Sequence, residues 1–167
     1  TGSGFNISGM DNNFSTIHTN RIFLRNNLIE DLNGNTWGGD GRTLQVIGGV
    51  HHLTVDLNTF INHLGGTFIN ADGPNFPNEN FIYLNNIASN AVYGLHGSGK
   101  GIGKPALNFY FPGAEFTHNV LTDGKASNGG TIANYPEGNY FPGPMKDIGF
   151  QAFNMGIGGD YRLLTGS

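Results

Sequence analysis

The sequence predicts an all-β fold built from stacked repeats, a solenoid. Three observations carry that expectation: a composition poor in helix formers, an asparagine-centred pattern that recurs four times, and short apolar runs bracketed by turn residues. The chain of 167 residues is the size of one domain. It contains 28 glycines and 23 asparagines, and only 12% of its residues are charged. Leu, Met, Glu, Lys and Ala, the strong helix formers, are scarce. Phe, Ile, Val, Thr and Tyr, which suit pleated half-buried surfaces, are common. Gly and Asn tolerate positive φ and so favour tight turns.

The repeat is read element by element. In the first copy, 22–29, Ile22 and Leu24 lead into Asn27 and then Ile29. The second places Leu53, Val55, Asn58 and Phe60 at the same offsets. The third has Phe81, Tyr83, Asn86 and Ala88, and the fourth Ala114, Phe116, Asn119 and Leu121. The four asparagines are 31, 28 and 33 residues apart. Between them lie further apolar runs at 43–47, 67–69 and 92–95, each bracketed by Gly, Asn or Asp. No interval shows an apolar stripe at helical spacing. The unit reads as strand, Asn turn, strand, loop, strand.

A single unit of this kind cannot bury its apolar face, whereas stacked units can. Alternate residues of each strand then point inward. An invariant Asn at one turn fits such stacking in two ways. It can adopt the left-handed conformation, and its amide can bond the equivalent amide one coil away. Asn27, Asn58, Asn86 and Asn119 are therefore the expected rungs of a structural ladder. Asp56 is expected to pair with Arg25, one repeat earlier.

The segments 26–29, 55–60, 85–87 and 118–120 resemble the coils of right-handed parallel β-helix proteins of the pectate-lyase-like superfamily. The stretch 35–42 followed by 53–60 resembles an uncharacterised bacterial branch of that group, and 159–167 is similar to the segment that closes many such β-helices. The resemblance covers most of 4–124 and the last dozen residues. It implies a right-handed parallel β-helix with irregular loops, further coils upstream with this chain a C-terminal piece, and an extracellular or cell-surface location. One position departs from the pattern: coils of the group commonly read V-D-H-N-T, and here Leu57 stands where that histidine would be.

From about residue 125 the pattern changes. Pro136, Pro142 and Pro144 crowd a stretch rich in Gly and Tyr, and Pro removes a donor from any sheet ladder. The expected organisation is coils over 1–124 and a loop-rich segment with a terminal strand over 125–167, covering the last coil. At the other end, 5–7 already reads as strand.

Charge and composition exclude several functions. A net charge of −4 with eight scattered Lys and Arg offers no basic face for nucleic acid. No apolar run reaches the roughly 18 residues of a membrane span. Without cysteine there is neither a disulfide framework nor a thiolate metal site. The stretch 94–101, GLHGSGKG, nearly spells a phosphate-binding loop. However, Gly101 removes the Ser/Thr that would hold Mg²⁺, and Gly101, Gly103 and Pro105 argue against a following helix. It is read as a long loop, with Lys100 and Lys104 free to meet an anionic sugar.

The polar candidates are few. His51 and His52 are adjacent and face opposite ways on a strand, while His18, His63, His96 and His118 lie far apart, so no metal site is expected. Asp40 and Arg42, in GGDGR, form the most suggestive pair. A β-helix polysaccharide lyase needs a base beside a uronate carboxylate and a cation, Ca²⁺ or a side chain, to neutralise it. A hydrolase needs two close carboxylates. Asp40, Asp56, Asp72 and Glu79 are outward acids, and Arg42, Lys100 and His96 are the basic partners. The weak catalytic set is thus Asp40, Arg42, His96 and Lys100. Trp37, Asp72 and Tyr110 are ligand-binding candidates, with Trp37, Phe76, Tyr110, Phe111, Tyr135 and Tyr140 placed in loops, where rings stack on sugars or pin loops.

Two functions follow. The first is an extracellular or cell-surface scaffold or glycan-binding module, self-associating through open coil ends with their unpaired strand edges or stacked on upstream coils. The second is a lyase or hydrolase acting on an acidic polysaccharide, with Ca²⁺ as cofactor in the lyase case. The arrangement of Asp40, Arg42, Asp72, His96 and Lys100 separates them: one groove favours the enzyme, dispersal the scaffold.

Overall fold

The computed structural model describes residues 2–11, 13–14, 16–62, 65–73, 75–124 and 131–166. The chain makes four successive passes. The first contains β1 (Ser3–Ser8), β2 (Asn20–Arg25) and β3 (Leu28–Glu30), followed by a single helical turn, α1 (Gly34–Trp37). The second contains β4 (Arg42–Ile47), β5 (His51–Asp56) and β6 (Thr59–Ile61), and the third β7 (Thr67–Asp72), β8 (Ile82–Leu84) and β9 (Ile87–Ser89). The fourth holds β10 (Leu95–Gly97), β11 (Gly101–Ile102), α2 (Lys104–Tyr110), β12 (Glu115–Thr117) and β13 (Val120–Thr122). A hairpin of β14 (Phe150–Ala152) and β15 (Asp160–Leu163) ends the chain.

Each pass gives one strand to each of three sheets, ordered β1-β4-β7-β10-β11, β12-β8-β5-β2 and β13-β9-β6-β3. Pairs between passes are parallel. The register aligns the repeat's apolar offsets into inward rows. Leu24, Val55, Tyr83 and Phe116 are successive partners, and so are Ile29, Phe60, Ala88 and Leu121. Period-two alternation puts these side chains on the same side of each sheet, where Val55, Tyr83, Phe60 and Ala88 are fully buried. Burying a side chain such as Phe60 contributes about 1.5–3 kcal/mol. Tyr83 and Phe116 stack with ring centroids 5.0 Å apart, and Tyr135 stacks on Phe116 at 5.7 Å.

The expectation of an all-β, right-handed parallel β-helix is corrected. The fold is mixed: β10–β11 and β14–β15 are antiparallel, the four sheets are separate, and two helices interrupt the strands. The absence of helical intervals is corrected with it. α2 begins directly after Gly103, with Pro105 in its first turn, where a missing N–H costs nothing because that donor has no intrahelical partner. Its buried residues Ala106, Leu107 and Tyr110 join the main core, so tertiary burial outweighs the poor local propensity. The stretch after His96, read as a long loop, is a tight hairpin between β10 and β11.

The C-terminal segment does two things. Tyr135 and Phe141 pack against the main core. Met145 and Phe150 form a second small core with Ile61. Tyr161 reaches back to the first pass, donating its hydroxyl to Glu30 Oε2 at 2.6 Å.

Candidate functional site

The loops that enter β4, β7 and β10 stack on one another. The Gly66 N–H donates to the carbonyls of Asp40 (3.0 Å) and Gly41 (2.8 Å), and the Gly66 carbonyl accepts from the Tyr93 N–H (2.8 Å). Upstream, Asn33 caps α1 by accepting from the Asn35 N–H, a common way to start a helical turn. This turn delivers the chain to Asp40. The three loop residues therefore form one wall of a groove.

Part of the floor comes from Asn70 and His96, two members of one row across the first sheet. Asn6, Gln45, Asn70 and His96 are successive partners across β1, β4, β7 and β10. Asp40, Arg42, Asn70, Tyr93 and His96, with Gly66 and Thr67, enclose a cavity of about 320 Å³. A second hollow of about 250 Å³ shares Asp40, Gly66 and Tyr93 with it and extends toward Asn35. Arg42 Nη2 lies 2.6 Å from Asp40 Oδ2, and Arg42 Nη1 donates to Gln45 Oε1 at 3.0 Å. His96 Nδ1 faces Asn70 Oδ1 at 3.4 Å. An amide oxygen only accepts, so this contact is a hydrogen bond when Nδ1 carries a proton. The Tyr93 ring, 55% exposed, stands 6.2 Å from the His96 ring. The Thr67 hydroxyl and Asn62 Oδ1 are buried without a hydrogen-bond partner.

Of the sequence candidates, Asp40, Arg42 and His96 meet in this groove. Lys100 does not line it; its Nζ sits 3.9 Å above the Phe109 ring, which pins the hairpin to α2. Asp72 instead accepts from the Gly73 N–H. Trp37 is exposed and donates Nε1–H to Asp31 Oδ2. Tyr110 is corrected as a ligand-binding residue: it is buried in α2 and donates its hydroxyl to the Ser98 carbonyl at 2.6 Å. Phe111 and Tyr135, read as loop residues that stack on sugars or pin loops, are buried core residues. Asp56 engages Arg25 at 3.3 Å and Asn85 Nδ2 at 2.9 Å, while Glu79 lies 3.9 Å from His51.

The four repeat asparagines form a continuous amide chain. Asn27, Asn58 and Asn86 each donate Nδ2–H to the Oδ1 of the next, at 2.9, 2.9 and 3.1 Å. Asn119 passes the chain on to Asn139 at 2.9 Å, a rung that the sequence period does not mark. The left-handed residue is corrected: it is the one before each rung, Asn26, Leu57, Asn85 and His118, with φ of 54–57°. The rung itself needs extended backbone to carry its side chain inward.

Among the described residues the histidines do not gather into one cluster. His18 and His51 stack at 4.3 Å, and His52 sits between Asn20 and Asn80. His63 lies outside the described residues. Among the described residues no group of three or more acids and histidines is placed to hold a metal ion. The groove does not fit Ca²⁺: among the described residues its one carboxylate, Asp40, is paired with Arg42, whereas Ca²⁺ takes 6–8 oxygen ligands.

A larger hollow, of about 440 Å³, lies between the Asn27 and Leu57 turns and β15. Its charges, Asp160 and Arg162, satisfy each other. The hydrogen bond from Arg162 holds the Asp160 carboxyl down at about 2. The groove beside Tyr93 is therefore the better candidate, with polar groups converging on one wall and an aromatic face beside them.

Asn70 and Tyr93 are members of the groove that sequence reasoning passed over, and Gln45 supports it from beneath through Arg42. The signal for Asn70 is its place between Ile69 and Ala71, both core residues, which turns it to the other face of β7. No helix among the described residues is long and apolar enough to cross a membrane. Comparison with protein-family models, curated proteins and solved structures finds no match to this chain.

Proposed function

We propose that the chain is an extracellular or cell-surface module that binds a polysaccharide along the groove between Tyr93 and the outward row of the first sheet. One observation carries this reading: an exposed aromatic ring stands beside planar polar side chains (Asn70, His96 and the Asp40–Arg42 pair) in a single open groove. A pyranose has an apolar C–H face for the ring and paired hydroxyls for amides, carboxylate and guanidinium. The adjoining hollow that shares Asp40 and Tyr93 gives room for more than one sugar unit.

The test is isothermal titration against a panel of neutral and acidic oligosaccharides. Tyr93→Ala and Asn70→Ala are expected to weaken binding at least tenfold while the far-UV circular dichroism spectrum stays unchanged. Undiminished binding by both variants would place the site elsewhere.

A second reading is favoured by His96 lying in the same groove as Arg42. Imidazole as a chemical group suits general-base work, and a guanidinium can neutralise a uronate carboxylate. Together they supply the two groups of a β-elimination. A two-carboxylate hydrolysis fits less well, because Asp40 is the single carboxylate among the described residues that line the cavity. Absorbance of unsaturated uronate products, from native protein and His96→Ala, decides between binding and cleavage.

A further inference from the structure

We propose that Asp40 is a built-in stand-in for a ligand carboxylate. It occupies the Arg42 guanidinium in the free protein, and a carboxylate on the incoming saccharide unit takes its place. The inference rests on the groove's being a saccharide site and names the ligand class: a sugar that carries a carboxylate.

The two partners of the pair are held very differently. Arg42 opens β4, its side chain is 29% exposed, and Gln45 fixes it from one side at 3.0 Å. Asp40 is 68% exposed and sits between Gly39 and Gly41, both at positive φ. The guanidinium is thus the fixed element and the carboxylate the one free to swing away. Nη2 of Arg42 meets Oδ2 of Asp40. A guanidinium fork takes a carboxylate best through two parallel hydrogen bonds, a geometry open to an incoming carboxylate once Asp40 swings away.

Energetics agree with exchange. An ion pair this exposed contributes about 0–1 kcal/mol, so releasing Asp40 costs an incoming ligand a factor of up to about five in affinity. Meanwhile the pair keeps Arg42 oriented toward the groove. The Tyr93 ring in the same cavity would hold the sugar's apolar face while its carboxylate engages Arg42.

The experiment measures binding of galacturonate, glucuronate and mannuronate oligomers, each beside its methyl ester, to native protein, Asp40→Asn and Arg42→Ala. Circular dichroism checks that each variant is folded. Asp40→Asn is expected to bind one of the acidic oligomers two- to fivefold more tightly than native protein does, with the methyl ester unchanged. Arg42→Ala is expected to lose the preference for acid over ester. If native protein binds the acid and Asp40→Asn binds it equally or less well, Asp40 is not a stand-in, and the groove reading survives. If acid and ester bind native protein alike, the carboxylate class is wrong. If none of the oligomers binds any of the three proteins, both the inference and the groove reading fall.

Discussion

Asn58 donates its side-chain N–H to Asn86 Oδ1 at 2.9 Å, and the Asn58 backbone N–H meets the same oxygen at 3.0 Å. One carbonyl oxygen thus satisfies two donors of the preceding pass. Asn86 in turn donates to the Val55 carbonyl and to Asn119 Oδ1. The turn between the second and third sheets is stitched from one pass to the next without water.

Asn86→Ala should therefore be costly. The residue is fully buried, and truncation strands the Asn58 backbone N–H and the Val55 carbonyl, while Asn119 Oδ1 keeps the Asn86 backbone N–H. Each unsatisfied buried group costs about 1–3 kcal/mol, so a loss of at least about 2 kcal/mol is expected in urea unfolding. Asn27→Ala, at the exposed end of the ladder, should cost under about 1 kcal/mol because water replaces the lost contacts. Equal losses at the two positions would mean that the ladder carries no special energy.

Leu57 offers the opposite change. It holds a left-handed φ of 55° while 46% exposed, a conformation that strains an L residue by about 1–2 kcal/mol. The equivalent position before Asn27 and before Asn86 is Asn, and before Asn139 it is Gly. Leu57→Asn is expected to stabilise the protein by about 1 kcal/mol, raising the melting temperature by about 2–4 °C. Leu57→Ala, which keeps the strain, should not. A melting point for Leu57→Asn at or below the native value rules the idea out.

The ladder shows what the sequence makes legible. Its four first rungs repeat one residue type near a 30-residue period, with apolar partners at fixed offsets, and those same offsets align in the strand register. Asn139 follows Asn119 after only 20 residues, so it escapes a search by period. α2 escapes for a different reason. Its seven residues include Pro105 and follow Gly103, and what makes them helical is burial of Ala106, Leu107 and Tyr110, a contact no local pattern encodes. The groove is intermediate. Asp40 and Arg42 announce themselves as a charged pair among glycines, but His96 joins them only through its pairing with Asn70, 26 residues earlier. The first sheet carries no invariant marker from which that register follows.

Gly97 tests the packing that creates α2. A Cβ added there would lie 2.7 Å from the Tyr110 ring and 2.9 Å from the Ala106 methyl, both on the buried face of the helix. Gly97→Ala is expected to destabilise by about 1–3 kcal/mol through overpacking. It should also raise hydrogen exchange within 104–110 more than within β5 or β8. Uniform exchange across the molecule would show that α2 is not the element displaced.

The C-terminal hairpin should loosen in alkali. Burial, then the hydrogen bond to Glu30, push the Tyr161 phenol up from its ordinary 10 to about 12. The folded state favours the neutral phenol, so this stabilisation is whole below pH 10 and is lost as pH rises through about 12. Tyr83 and Tyr135 are also raised by burial, and subtraction isolates Tyr161. Tyr161→Phe should be less stable than native protein at pH 8 by about 0.5–1.5 kcal/mol, the worth of one hydrogen bond, and this gap should close as pH climbs from 10 to 12. Urea unfolding at a series of pH values measures both. A gap that stays constant up to pH 12 would mean that Tyr161 does not couple the hairpin to Glu30 through its proton.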